Sequence, residues 1–323
     1  MSDMSEALEE HKELMHYTGA GGLHGIISSR TLWASHTSFM NDTEEILGFY
    51  NRVLPMLLKQ ELEQLVIDSG DFSGNVKNAS RLGIDLIDYT VKTWIERLKE
   101  LARAQDYFVT SFCTTTNDWI SRNGLLSQWR AYGEDGGYAI VFDAEKLHSL
   151  LIAEGKLYYE EQLNETEVEY NLAQFSDIKS VQTRKCIVDL QKTVYAQLRN
   201  QRIDYADAAE NVCKLSMLCK HRGFEEEKEV RIVVREPSLN MGQDIQSQSG
   251  RPYRKVWSYI RNGVSVPCIH LFEDQKLDAL PIRRVIVGPH SDKVDRKRAV
   301  ELLLREHTVN AEVLTSETPY RGK

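Results

Sequence analysis

The residues best suited to chemistry stand close together, in Glu227-Lys228-Glu229-Val230-Arg231-Ile232-Val233-Val234-Arg235. From Lys228 the pattern alternates. Val230, Ile232 and Val234 fall on one face of an extended strand, and Glu229, Arg231, Val233 and Arg235 on the other. If the extension begins one step earlier, Glu227 shares the Glu229 face. Two carboxylates and two guanidiniums then line one side of a rigid strand, with an apolar row behind: a charged wall for a polar substrate. The competing reading is the solvated face of a half-exposed strand, with Glu229 and Arg231 paired across two residues.

Other candidates are scattered. His16 lies on a short β-prone run, Leu14–Thr18, as a site imidazole or as a core or turn histidine. Ser111 with His16 has no identifiable third partner for a hydrolase triad. Arg130 between Trp129 and Tyr132 suggests an exposed stacking or phosphate-binding edge, against plain core packing. Asn41-Asp42 reads as a cap and turn or as ligand contacts. The Gly133-x-x-Gly136-Gly137 turn precedes a strand rather than a helix, which argues against a phosphate loop. Arg251–Arg261 interleaves cations with aromatics, a pairing that suits single-stranded nucleic acid and equally an edge strand's packing.

Composition narrows the classes. A chain of 323 residues can bury a large core. Its net charge of −8 argues against broad coating of nucleic acid. No run reaches the roughly 18 apolar residues of a membrane span, and no signal peptide is visible. The five cysteines lack C-x-x-C spacing, so reduced thiols in a cytoplasm are the simplest account. Cys213, Cys219 and His221 lie near one another but fall short of a zinc ligand set, so no metal is expected. Oligomeric state is not legible.

The elements that must position these residues follow from periodicity. Strands are expected at Leu14–Thr18, Thr31–Ser35, Tyr107–Cys113, Tyr138–Asp143, Lys156–Glu160, from Lys228, and over 264–272, 283–288 and 310–314. Helices are expected over 23–29, from Asp42 as N-cap with Pro55 as a kink, over about 82–105, over 125–132, as two or three helices within 165–220, and over 291–307. Residues 1–13 read as an acidic lead-in; 68–80 and 237–253 read as polar loops. Strands and helices do not alternate regularly. The expectation is α+β, a mixed and mostly antiparallel central sheet with helical insertions at about 44–105 and 165–220, all within a single domain of residues 1–323.

Several motifs in this order resemble one bacterial family, domain-of-unknown-function family 2971. They are His16-Tyr17-Thr18, Leu32-Trp33-Ala34-Ser35, Phe39-Met40-Asn41-Asp42-Thr43-Glu44, Ser111-Phe112-Cys113, Gln128–Gly133, Gly137–Asp143, Glu227–Arg231 and Val285–Pro289. The similarity spans about 14–290, leaving 291–323 as a C-terminal helix and strand. The family name carries no function.

A looser resemblance, to ADP-ribosyltransferase folds, rests on His16, the Thr110-Ser111-Phe112 strand and Glu227-Lys228-Glu229 in that order. It implies NAD as substrate and an oxocarbenium-like transition state. Glu229, with Glu227 and His16, would be catalytic; Tyr17, Asn41, Ser111, Arg130, Tyr132 and Arg231 would line the nucleotide site. The chain departs from the Arg-Ser-Glu and His-Tyr-Glu patterns, since Tyr17 adjoins His16. The resemblance implies an effector in defence or toxin contexts. The alternative is a non-catalytic nucleic-acid- or protein-binding module, as in phage defence.

Overall fold

The computed structural model describes residues 11–40, 48–68, 70–102, 106–132, 136–158, 163–170, 178, 180–198, 201, 203, 205–236, 250–261 and 263–319. Within them lie ten strands and ten α-helices, in an α+β arrangement. The chain divides into two compact units: Met1–Phe39, Tyr107–Glu167 and Glu226–Lys323 form the first, and Met40–Asp106 with Val168–Glu225 the second. The second unit corresponds to the helical insertions expected from the sequence.

The first unit is built on one sheet. Its strands are β1 (Glu13–Thr18), β2 (Leu32–His36), β3 (Asp106–Thr114), β4 (Tyr138–Asp143), β5 (Leu163–Glu167), β6 (Glu229–Glu236), β7 (Val256–Arg261), β8 (Val264–Leu271), β9 (Ile282–Val287) and β10 (Glu312–Thr315). Their order is β10-β9-β4-β1-β3-β2-β8-β7, with β6 pairing both β3 and β5. The β9–β10 pair is parallel; the other registers are antiparallel. One face carries Leu14, Phe112, Ile140, Val230, Ile232 and Val285 into the main core, with Leu23, Ile26 and Ile27 of helix α1 (Ala20–Ser29) packed on it. The reverse face carries a smaller cluster that includes Met15, Tyr17, Cys113 and Trp129. This two-sided burial is what the period of 2 requires of a sheet covered on both faces.

Two short helices, α5 (Asp118–Asn123) and α6 (Leu126–Tyr132), link β3 to β4. Asn117 caps α5, its side chain accepting from the Ile120 amide at 2.9 Å. Helix α7 (Ala144–Leu157) follows β4, with Asp143 as its N-cap. Helix α10 (Lys293–Glu306) connects β9 to β10.

The second unit is helical: α2 (Leu54–Asp68), α3 (Gly70–Arg81), α4 (Leu86–Ala102), α8 (Val181–Leu198) and α9 (Tyr205–Leu218). Its core joins Leu58 and Leu62 of α2, Trp94 and Leu98 of α4, Ile187 and Leu190 of α8 and Val212 and Leu215 of α9. Helical spacing in the sequence had marked Leu58 on α2 and Trp94 and Leu98 on α4.

Three local expectations need correction. Residues 70–81 are helical, not loop, because Phe72 is buried and Val76 packs partly on the helical core. Of the strand expected at Lys156–Glu160, Lys156 and Leu157 are instead the end of α7, residues 159–160 lie outside the described residues, and strand β5 begins at Leu163. Pro55 does not kink a helix. It sits in the first turn of α2, after one π-helical turn at Phe49–Val53, where its missing N–H costs least. Asn41 and the Asp42 cap lie outside the described residues.

Candidate functional site

The three stretches separated most widely in sequence come to three adjoining strands. β1 and β3 pair through Leu14↔Thr114 and Met15↔Cys113. One residue on, the ring of His16 reaches across, its Nδ1 donating to the Ser111 carbonyl oxygen at 2.9 Å. The other ring nitrogen, Nε2, is then an acceptor in the neutral tautomer. Burial lowers the His16 pKa, and the bond to Ser111 opposes that shift only in part. On the far side of β3, the Thr114 amide donates to the Lys228 carbonyl at 3.1 Å, which seats the start of β6.

The entry to β6 is unusual. A 3₁₀ turn, Arg222–Glu227, runs into the strand through Lys228 at φ +41°. A non-glycine residue in the left-handed region is uncommon and costs on the order of 1 kcal/mol or more. The conformation keeps the Lys228 side chain in solvent and both flanking carboxylates buried, with Glu227 6% and Glu229 4% exposed. Arg231, 2% exposed, closes on Glu229 as a two-point fork: Nε to Oε1 at 2.7 Å and Nη2 to Oε2 at 3.0 Å. The planar guanidinium and the carboxylate match, so each neutralises and orients the other. The solvated-surface reading of this strand is thereby overturned. β6 is held between β3 and β5, and its residues Glu229–Val234 are buried on both faces while Arg235 is half-buried.

Tyr17 shares that reverse face. Its hydroxyl accepts from the Leu125 amide at 2.7 Å, and its ring meets Trp129 edge-on at 4.9 Å. Burial first, then the Cys113 thiol and Glu227, hold its phenol well above the ordinary range, against the Leu125 bond. Trp129 is core: its Nε1 donates to the Asn123 carbonyl at 2.9 Å. Its ring lies so close to Gly124, at φ +72°, that a Cβ there would collide with it. Arg130 and Tyr132 stand on the exposed side of the same helix.

The structure therefore joins the strands of His16, Ser111 and Glu227–Arg231, and gathers Glu227, Glu229, Arg231 and Tyr17 on the reverse side of the sheet. It does not bring His16 to that side. Strand alternation sets His16 with Leu14 on the main-core face, its ring 5.7 Å from Phe112. Ser111 contributes its carbonyl. Among the described residues, no group of three or more His, Cys, Asp or Glu is placed to hold a metal ion.

Two features had no clear sequence signal. Lys228 in the left-handed region was hidden because the usual markers, Gly and Asn, are absent there. The second is an aromatic ladder across β7, β8 and β2. Trp257 stacks on His270 at 5.3 Å and 12°, and His270 on Trp33 at 5.3 Å and 9°. Lys255 Nζ lies 3.4 Å from the centroid of the Trp257 ring, and the Tyr259 and Ser35 hydroxyls are 3.0 Å apart. The Arg251–Arg261 motif is thus partly a β7 cross-strand stack whose ring faces are largely taken.

Fold and site define an α+β protein with a buried carboxylate–guanidinium wall beside the middle of its central sheet. Residues 128–232 match the model of the family described as Protein of unknown function (DUF2971). That segment runs from α6 to β6 and contains Gln128–Tyr132, Gly137–Asp143 and Glu227–Arg231, so the family resemblance holds over it. No curated protein and no solved structure matches the chain.

Proposed function

We propose that the protein is a nucleotide-binding enzyme that consumes NAD, transferring ADP-ribose or hydrolysing the dinucleotide. The observation that carries the reading is the Glu227–Glu229–Arg231 wall, two buried carboxylates flanking a left-handed residue at the start of a strand that adjoins β3. In such a reaction the bond between nicotinamide nitrogen and ribose C1′ breaks. Nicotinamide leaves with the bonding pair, and an acceptor oxygen or nitrogen bonds C1′ and loses its proton. A carboxylate held ionised beside C1′ stabilises the cationic transition state. Arg231 orients Glu229 and fixes its plane; Glu227 is the second carboxylate. His16, on the other face, is assigned no role at the reacting carbon.

The test is turnover of labelled NAD in the presence of cell lysate, read as free nicotinamide and as labelled macromolecule. Glu227→Gln and Glu229→Gln should each lower turnover by about 100-fold or more, since each keeps shape and discards charge. Full activity in both variants would remove the wall from catalysis.

A second reading, the non-catalytic binding module, rests on Lys255 beside Trp257 and Tyr259 of β7, which stay half-exposed although their ring faces are largely taken. No turnover together with salt-sensitive binding of single-stranded nucleic acid, lost in Trp257→Ala, would favour it.

A further inference from the structure

A concavity of about 290 Å³ lies between α5 and the end of β10 with Glu317 beyond it, remote in sequence from the β6 wall. Asn123 forms its floor and is only 5% exposed. The Asn123 carbonyl accepts from Trp129 Nε1 at 2.9 Å and from Ser316 Oγ at 2.7 Å, and its Oδ1 accepts from the Glu317 amide at 2.7 Å. These bonds fix α5 against residues 316–317, so the concavity is preformed and little ordering is lost when a ligand enters.

Its rim is the opposite. Asp118, Trp119, Arg122 and Glu317 all line it. Among the described residues, none of their side chains has a hydrogen bond, ion pair or ring contact. Trp119 is 55% exposed, an uncommon cost for an indole with nothing to meet. Two carboxylates and an indole face favour an organic cation. One guanidinium beside them favours a carboxylate. A phosphate would meet two like charges for one opposite. The volume sits at the lower limit of small-molecule pockets, roughly 300–1,000 Å³, which is small for a dinucleotide.

We propose that this concavity binds a cationic α-amino acid, with its guanidinium or ammonium group against Trp119, Asp118 and Glu317 and its carboxylate toward Arg122. The site is independent of the glycosidic reading: either can fail without the other.

Calorimetric titration of the full chain tests it with four probes: L-arginine, L-citrulline, agmatine and AMP. L-Arginine should bind saturably. L-Citrulline, equal in shape and lacking the side-chain charge, should bind at least about tenfold more weakly, a difference of about 1.4 kcal/mol. Asp118→Asn and Glu317→Gln should each weaken L-arginine, and Trp119→Ala should abolish it while leaving the thermal unfolding midpoint in place. Arg122→Gln should weaken L-arginine and leave agmatine, which has no carboxylate, unchanged. Three results would each overturn the proposal: no saturable binding of L-arginine, equal binding of citrulline, or tighter binding of AMP that Trp119→Ala removes.

Discussion

Two buried arginines of the first unit meet carboxylates in opposite ways. Arg231 and Glu229 sit two residues apart on one face of β6 and form a matched fork at 2.7 and 3.0 Å. Arg254, also buried though 9% exposed against 2% for Arg231, lies between carboxylates from separate elements. Its Nε is 3.7 Å from Glu154 Oε1 on α7, and its Nη1 is 3.8 Å from Glu236 Oε1 at the end of β6. The guanidinium also lies 4.6 Å from the centroid of the Tyr158 ring. Glu154 Oε1 and Arg254 Nε make no hydrogen bond, although Gln275 donates to Glu154 Oε2 at 2.8 Å. The first pair is placed by the strand's own geometry. The second is a compromise among three elements, and the ideal fork is lost. The same residue types, buried in both places, thus give one oriented carboxylate and one loosely balanced charge.

The largest expected effect follows from breaking the fork. Arg231→Met should cost about 3–5 kcal/mol in urea unfolding, because it strands a buried carboxylate. Glu229→Gln combined with Arg231→Met should cost less than the Arg231 change alone, with a coupling above roughly 2 kcal/mol. Additive costs would mean that the fork is not a unit.

Arg254→Met should cost less, about 1–3 kcal/mol, since the contacts it loses are already long and Glu154 keeps its bond from Gln275. A loss as large as that of Arg231→Met would erase the contrast drawn from geometry.

Two acid effects should be smaller and separable by pH. His16 is lowered from its ordinary 6.5 by burial, so the unfolded chain binds the proton first. Its contribution is present above about pH 6.5 and declines as pH falls from there toward the folded pKa. Glu13 acts lower. Burial alone would raise it, but Arg284, with Ser121 and Arg283, outweighs burial and holds it below 4.5. Its contribution is present above pH 4.5 and is lost as pH falls through the folded pKa. Stability measured against pH should lose the upper step in His16→Gln and the lower one in Arg284→Gln. Unchanged profiles would dismiss these assignments.

The smallest effect belongs to Lys214 and Glu210, a partly exposed pair at 2.6 Å on one helix. Lys214→Gln should change stability by about 0–1 kcal/mol. A cost near that of Arg254→Met would show that distance outweighs burial.

Local periodicity was enough for most elements. β6 appears where alternation placed it, β4, β8 and β9 where the sequence read as strands, α4 where apolar residues recur at helical spacing and α10 where an amphipathic helix was expected. Failures occurred where composition and burial disagree. Gly70–Arg81 is polar enough to read as loop, yet Phe72 is drawn into the helical core. At the site, the alternation on β6 correctly paired Glu229 with Arg231 on one side, since a strand's period is local geometry. Whether that side met water was not legible, because burial depends on which strands flank it.

The sequence by itself determined which residues share a face: Glu229 with Arg231, and Val230 with Ile232 and Val234. Those relations need only two backbone dihedrals per residue. Tertiary structure alone decided that β6 lies between β3 and β5, that His16 bonds Ser111 across a gap of 95 positions, and that His16 and Glu229 emerge on opposite faces. Those facts depend on strand order and register across the whole chain. Shifting a register by one residue would exchange the two faces without altering a residue of sequence.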